Sequence, residues 1–318
     1  MSSAIKPVFL HQLPDAKALF KVIAKERQLL PNIVEKDYWL MHCLWGLQQQ
    51  GFQFELKGGT SLSKGFGIIE RFSEDIDIQI HPKIGEDVKF GKNQDKLIHI
   101  ESRRQFFERT LASLAIPDMT CRHDSNFDDP DKMRSFGIRA EYPSLFTEVA
   151  SLKEGVVLEL GFDQTTPNVP CDISSWAFEK MQVLNLGVID NQALQVLCYC
   201  PEYTFVEKLQ TISTKYRLQQ EKKTMPINFL RHYYDVYKLL ENRRVLNFIG
   251  SPEYHEHKEK RFRLGDEKDI SKNLAFNLPD PATRTLYSSE FKKKSAIYFG
   301  KQPTLDEILK RFAQYPQL

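Results

Sequence analysis

Disulfide and thiolate-metal chemistry have little to work with in this sequence. Its five cysteines, Cys43, Cys121, Cys171, Cys198 and Cys200, form no CxxC pair and are odd in number, so buried thiols are expected instead. No apolar run reaches membrane-spanning length, and the opening MSSAIKPVFL lacks the basic, apolar, small-residue order of an export signal. A cytoplasmic protein with no membrane partner is expected. Charge of one sign is also missing: 44 Lys and Arg offset 42 Asp and Glu, and a net +2 says nothing about nucleic acid, which responds to clustered charge. No serine or cysteine sits in a nucleophile elbow. His255-Glu256-His257 has no third ligand and no i,i+4 spacing, so it reads as a solvated loop rather than a zinc site. His42 lies in an apolar helical stretch and reads as a core residue, and repeats and low-complexity tracts are absent.

What is present is the composition of a globular protein. At 318 residues, with 41% hydrophobic and 27% charged content, two packed lobes are expected, one of residues 1–204 and one of 205–318. Apolar spacing predicts helices over Asp15 to Leu30, Ile33 to Leu47 and Ile100 to Leu114. Phe52 to Leu56 reads as a strand and Ser61 to Glu70 as a helix, giving the order strand, turn, helix, strand. Ser125 to Met133 reads as a polar loop, Arg134 to Tyr142 and Val156 to Phe162 as strands, Pro167 to Pro170 as a bend, and Gln195 to Cys200 as a last strand. From Thr204 onward helical patterns dominate, and Thr204 with Glu207 fits a capping box at the start of a helix whose Phe205, Leu209 and Ile212 point inward.

The chemistry concentrates in Leu56 to Ile80, LKGGTSLSKGFGIIERFSEDIDIQI. In Asp75-Ile76-Asp77-Ile78-Gln79-Ile80 polar and apolar residues alternate, so Asp75 and Asp77 share one face of a strand. Two close carboxylates repel unless a cation lies between them, which points to oxygen ligands for Mg²⁺. Upstream, Gly58-Gly59 permits a turn that a Cβ would hinder and exposes amides to a phosphate, with the Thr60 hydroxyl beside them. Lys64 can add positive charge from the following helix, and Ser73 stands just ahead of the strand. The simpler readings are an N-cap for Thr60 and a surface residue for Lys64.

KGGTSLSK at Lys57 to Lys64 followed by RFSEDIDI at Arg71 to Ile78 resembles the nucleotidyltransferase superfamily, and in particular the AbiEii/AbiGii toxin family of type IV toxin–antitoxin systems. EKDYW at Glu35 to Trp39, VVLELG at Val156 to Gly161, PEYTFVEKL at Pro201 to Leu209 and RHYYDVYKL at Arg231 to Leu239 are similar to further segments of that family. Fifteen residues separate Gly59 from Asp75, longer than is usual in the wider superfamily. The resemblance implies an α/β (α+β) fold with a nucleotidyltransferase-like mixed sheet flanked by helices and a mainly helical C-terminal lobe. It implies two Mg²⁺ ions held by Asp75 and Asp77, and a nucleoside triphosphate as substrate. Strand parity and the resemblance together make Glu159 a third carboxylate ligand, with Asp163 as the fallback. By resemblance Lys208 serves catalysis, Asp235 acts as a base or positions the acceptor hydroxyl, and Arg231 binds phosphate or orients Asp235. The cheaper account of Arg231 and Asp235 is a surface i,i+4 ion pair. The implied activity is addition of nucleotides to the tRNA 3′ end, countered by a separately encoded antitoxin. Nucleotidylation of a protein hydroxyl and a non-catalytic nucleotide- or RNA-binding partner are the alternatives. HEHKEKRFR at His255 to Arg263 and Lys292 to Lys294 offer basic tracks for RNA, although solvated charged faces account for them as well.

Overall fold

The computed structural model describes residues 7–91, 93–147, 152–163, 165–293 and 297–318. They form two compact units, one of Met1–Gly65 and Phe72–Tyr199 and one of Phe66–Arg71 and Cys200–Leu318.

The first unit is mixed α/β. Its helices are α1 (Ala16–Arg27), α2 (Pro31–Gln49), α3 (Gly58–Thr60), α4 (Leu97–Ser113) and α5 (Trp176–Leu184). Its strands are β1 (Phe54–Lys57), β2 (Asp75–Ile80), β3 (Thr120–His123), β4 (Ser135–Glu141), β5 (Val156–Gly161), β6 (Asn168–Ile173) and β7 (Ala193–Tyr199). They make one seven-stranded sheet in the order β3-β4-β5-β2-β1-β7-β6. β2 pairs antiparallel with β1 and parallel with β5, which places the aspartate strand in the middle of the sheet. Period-two alternation then decides its two sides: Ile76, Ile78, Leu158 and Ile138 are fully buried, while Asp75, Asp77 and Glu159 point the other way. Each such apolar side chain contributes about 1.5–3 kcal/mol by leaving water. α2 packs on β5 and β7 and is itself covered by α1 and α5, so it is buried on nearly every side. Phe107 of α4 stacks on Phe136 at 5.2 Å and meets Phe162 at 4.9 Å.

Several expected elements change here. The helix expected over Ser61 to Glu70 instead starts at Gly58, passes from α3 into a π turn over Ser61–Gly65 and stops. Gly67, at φ +62°, takes a left-handed conformation that ends the run, and Phe66–Arg71 belongs to the second unit. The bend expected at Pro167 to Pro170 is largely strand: β6 runs through Pro170, which is tolerated because β6 is the edge of the sheet and Pro lacks the ladder donor. The polar loop at Ser125 begins with a 3-10 turn, Ser125–Phe127, capped by the Asp124 side chain.

The second unit carries the helices α6 (Pro201–Lys222), α7 (Arg231–Leu239), α8 (Arg243–Phe248), α9 (Pro252–Arg261), α10 (Pro281–Lys292) and α11 (Leu305–Phe312). Phe205, Leu209 and Ile212 of α6 are fully buried with Tyr233, Val236 and Leu239 of α7. The expected capping box is absent: α6 opens on Pro201 after Cys200, and the Thr204 hydroxyl donates to the Cys200 carbonyl at 3.2 Å from inside the helix. Proline suits a first helical position because its missing N–H is an orphan there. The division of the chain accordingly precedes Thr204, at Tyr199 and Cys200. His255 and His257, expected on a loop, lie in α9, which Ser251 caps by accepting from the Tyr254 N–H and Pro252 opens. Lys292 ends α10, and Lys294 lies outside the described residues.

Candidate active site

Sheet register brings the acidic residues together. Asp77 stands opposite Glu159 on β5 and Lys57 on β1, and Asp75 stands opposite Val157, so the three carboxylates share one face of two adjacent parallel strands. Asp75 is only 3% exposed. Burial, with the negative charges of Asp77 and Asp75 added to it, pushes the Glu159 carboxyl up to about 8. Directly opposite Glu159 on β4 is Gly137, where a Cβ would lie 2.2 Å from the Asp124 carbonyl oxygen. Asp163, the fallback ligand, is instead ion-paired to Lys57 at 3.3 Å.

The glycine turn abuts the same carboxylates. Gly58 has φ +73°, and a Cβ there would fall 2.1 Å from Oδ2 of Asp77, so both the backbone conformation and the space exclude a side chain. Gly58→Ala is expected to displace Asp77 and reduce the activity of this site about 100-fold, the cost of a misplacement near 1 Å. Single-turnover kinetics, with circular dichroism confirming the fold, check this; a rate within threefold of wild type would separate the turn from the chemistry. Thr60 braces the turn, its hydroxyl donating to the Asp75 backbone carbonyl at 2.5 Å. Lys64 is held by Asp37 at 2.7 Å, with its ammonium 4.4 Å from the Trp176 ring, so its charge is engaged inside the unit. Ser73 is buried two residues ahead of Asp75.

The segment Glu35-Lys36-Asp37 explains much of this order. Three consecutive charges in the apolar helix α2 are all 1% exposed, and each is matched. Glu35 accepts from the Leu145 N–H at 2.7 Å and the Ser144 hydroxyl at 2.8 Å. Lys36 donates to Glu74 at 3.3 Å and to the Lys153 carbonyl at 2.5 Å. Asp37 takes Lys64 and the Trp176 N–H. Burial lowers the Lys36 ammonium pKa against the pull of Glu74, and raises the Asp37 carboxyl against the pull of Lys64. Lys153, which the sequence did not single out, bonds both oxygens of Asp75 at 2.7 and 2.8 Å.

The second unit holds a separate constellation. Arg71 grips Asp235 with two parallel bonds of 2.6 and 2.8 Å, and Lys208 adds a third contact at 3.0 Å. Asp235 is fully buried rather than a member of a surface pair, and its ion-pair partners are Arg71 and Lys208 rather than Arg231. Burial alone would raise its pKa, but Arg71 and Lys208 outweigh burial and hold it down to about 2. A carboxylate so held is a weak proton acceptor, which favours the positioning role over the general base. Lys208 responds the opposite way: burial, helped by the charges of Arg71 and Arg231, outweighs Asp235 and lowers its pKa. Lys208 and Lys215 lie 3.4 Å from the two ring nitrogens of His232, and Nε of Arg231 is buried without a hydrogen-bond partner. Burial beside these cations keeps His232 neutral. Arg71, Lys208, Lys215 and Arg231 all bring positive charge to bear on His232, a grouping of cations that suits an anion.

The donor set of the first unit suits a hard cation such as Mg²⁺, since it is all carboxylate oxygen, and burial with the charges of Asp77 and Asp75 pushes one member, Glu159, toward protonation. Among the described residues, however, no group of three His, Cys, Asp or Glu is already arranged around a common metal position. Lys153 stands on Asp75 instead. No described helix is long and apolar enough to cross a membrane.

No curated protein matches the chain. The family model described as "Nucleotidyl transferase AbiEii toxin, Type IV TA system" matches residues 40–311, which takes in the glycine turn, all three carboxylates, Lys208 and Asp235 and begins just after Trp39. The chain, with its mixed sheet and carboxylate face, therefore belongs to the AbiEii nucleotidyl transferase toxins of type IV toxin–antitoxin systems.

Proposed function

We propose that the protein is a metal-dependent nucleotidyltransferase that moves a nucleoside monophosphate from a nucleoside triphosphate to an acceptor hydroxyl, the tRNA 3′ end, with release of pyrophosphate. The observation that carries this reading is the approach of Gly58 to Asp77, which sets the glycine turn against the acidic face. Asp75, Asp77 and Glu159 would hold two Mg²⁺ ions. Bound there, Mg²⁺ supplies neutralisation of the triphosphate and a lower pKa for the attacking hydroxyl.

The chain's own groups do the rest. Amides following Gly58 and Gly59 cradle phosphate oxygens, with Thr60 fixing the turn to β2 rather than spending its hydroxyl on substrate. Lys208 and Arg231 meet phosphate charge, and Asp235 holds Arg71 and Lys208 in place. Lys64 steadies the turn through Asp37, and Ser73, just ahead of the aspartate strand, is a further candidate contact for the triphosphate. In transfer, the acceptor oxygen bonds to the α-phosphorus as the bond to the bridging oxygen breaks.

Family membership makes the protein one half of a toxin–antitoxin pair. The tRNA acceptor is tested by incubating the protein with each labelled nucleoside triphosphate, Mg²⁺ and cell extract. Label in a tRNA-sized band that RNase removes is the expected result. Label removed by protease instead would transfer the activity to a protein hydroxyl, and no covalent label with any triphosphate would leave only a binding role.

A further inference from the structure

Lys153 is fixed at three points of the first unit. Its backbone N–H donates to Glu74 at 2.8 Å, its carbonyl accepts from the buried Lys36 at 2.5 Å, and its ammonium chelates Asp75. The same ammonium lies 4.7 Å from the Phe127 ring. Such anchoring of both backbone groups sets where the side chain starts, and a surface lysine has nothing like it. The side chain is 28% exposed and lines a cavity of about 700 Å³ together with Lys36 and three glutamates, Glu35, Glu141 and Glu154. The lysine therefore stands at the boundary between the acidic face and an open volume.

An ammonium within 2.8 Å of both oxygens of one carboxylate fills the place of a cation on that carboxylate. Electrostatically it does what a divalent ion would do there, with half the charge. A divalent ion on the same two oxygens would meet the ammonium charge at close range, so the two cations compete for Asp75.

We propose that Lys153 is a built-in counter-ion of Asp75 that a divalent cation displaces, and that the released ammonium binds the anionic part of the substrate. The inference rests on the nucleotidyltransferase reading and adds an ordered exchange to it: metal in, lysine out, phosphate held. Without metal, Lys153 screens the carboxylates from one another and keeps the strand start in register. With metal, its charge becomes available to a polyphosphate. Apo protein should accordingly bind nucleotide poorly, because its lysine is already paired.

The test is direct Mn²⁺ binding, read by electron paramagnetic resonance of the free ion and by calorimetry, in wild type, Lys153→Met and Lys153→Arg. Met keeps the stem over Phe127 and removes the charge, so Lys153→Met should bind Mn²⁺ about tenfold more tightly, whereas Lys153→Arg stays near wild type. With Mn²⁺ saturating, a non-hydrolysable nucleoside triphosphate analogue should bind Lys153→Met about tenfold more weakly. Unchanged or weaker Mn²⁺ binding in Lys153→Met overturns the exchange. Lys153→Gln gives the same comparison if the Met variant does not fold. The Asp75→Ala/Asp77→Ala protein separates the two levels: if it binds Mn²⁺ as wild type does, the metal reading itself fails, whereas loss of binding there with an unaltered Lys153→Met removes the lysine's role alone.

Discussion

Asp77→Asn should abolish nucleotide transfer, by about 10³-fold or more, while leaving the fold as stable as before or more so. The activity loss follows from position. Asp77 is flanked in the sheet by Glu159 and abutted by Gly58, so it is the carboxylate that joins the acidic pair to the turn. Replacing one charged donor of a phosphoryl-transfer site removes charge stabilisation of the kind worth 10²–10³-fold for a single oxyanion donor, and more when metal affinity falls with it (about 10³ or beyond). The stability gain follows from repulsion. Glu159 is pushed up to about 8 by burial and by its acidic neighbours, so neutralising one neighbour relieves a cost that the folded state carries. Loss of activity combined with a held or raised melting temperature marks a residue retained for chemistry and not for folding. Growth inhibition on expression and thermal melts of the purified variant check the two halves. Toxicity within tenfold of wild type would remove Asp77 from the catalytic centre, and a fall in melting temperature would assign it to structure.

The acidic strand was legible because its signal is local. Period-two alternation fixes the shared side of Asp75 and Asp77 whatever the strand packs against, and the same parity placed Glu159 on the matching side of β5. What the alternation does not carry is register between strands distant in sequence, so the pairing of Asp77 with Glu159 required the fold. Lys153 was missed for that reason in its plainest form: it precedes β5 in a segment without period or motif, and its role comes from contacts with Lys36, Glu74 and Asp75. A signal for part of it was present. Glu35-Lys36-Asp37 inside VEKDYWLMHCLW is a run of charge in a helix otherwise apolar around its circumference, and such a helix can bury charge only by pairing it. Read that way, the segment announces partners elsewhere, and Lys64 is one of them rather than an unoccupied cation on the surface. The helix expected across Ser61 to Glu70 does not form because Gly65 and Gly67 outweigh the apolar spacing of Leu62, Phe66 and Ile69. A Cβ on Gly65 would come 2.8 Å from the Cys198 sulfur, so that glycine is there for close packing, and Gly67 for its left-handed backbone.

Asp235→Ala should unfold the second unit more readily than any substitution on its surface, at a cost of about 3–5 kcal/mol, the range for breaking one side of a buried ion pair. Arg71 is 1% exposed and Asp235 is completely enclosed, so removing the carboxylate takes from a buried guanidinium and from the Lys208 ammonium the negative charge that both bond directly. The pair itself need not stabilise the fold against an apolar alternative; the penalty is for buried positive charge that loses this carboxylate. An Arg71→Met/Asp235→Leu double variant should therefore recover part of the stability lost by Asp235→Ala, the Lys208 ammonium still lacking its carboxylate, while remaining inactive if Asp235 positions Lys208 for phosphate. The pH dependence follows from the same contacts. Asp235 is depressed to about 2 from the ordinary 3.8, so its contribution is fully present above the ordinary value and is lost as pH falls through about 2. Wild type should show an acid-side loss of stability between those limits that the double variant lacks. Urea denaturation at neutral and acid pH measures both effects. A shift below about 1 kcal/mol for Asp235→Ala would mean that water reaches Arg71 and that the charge was never sealed in, and the residue would return to the surface-pair account.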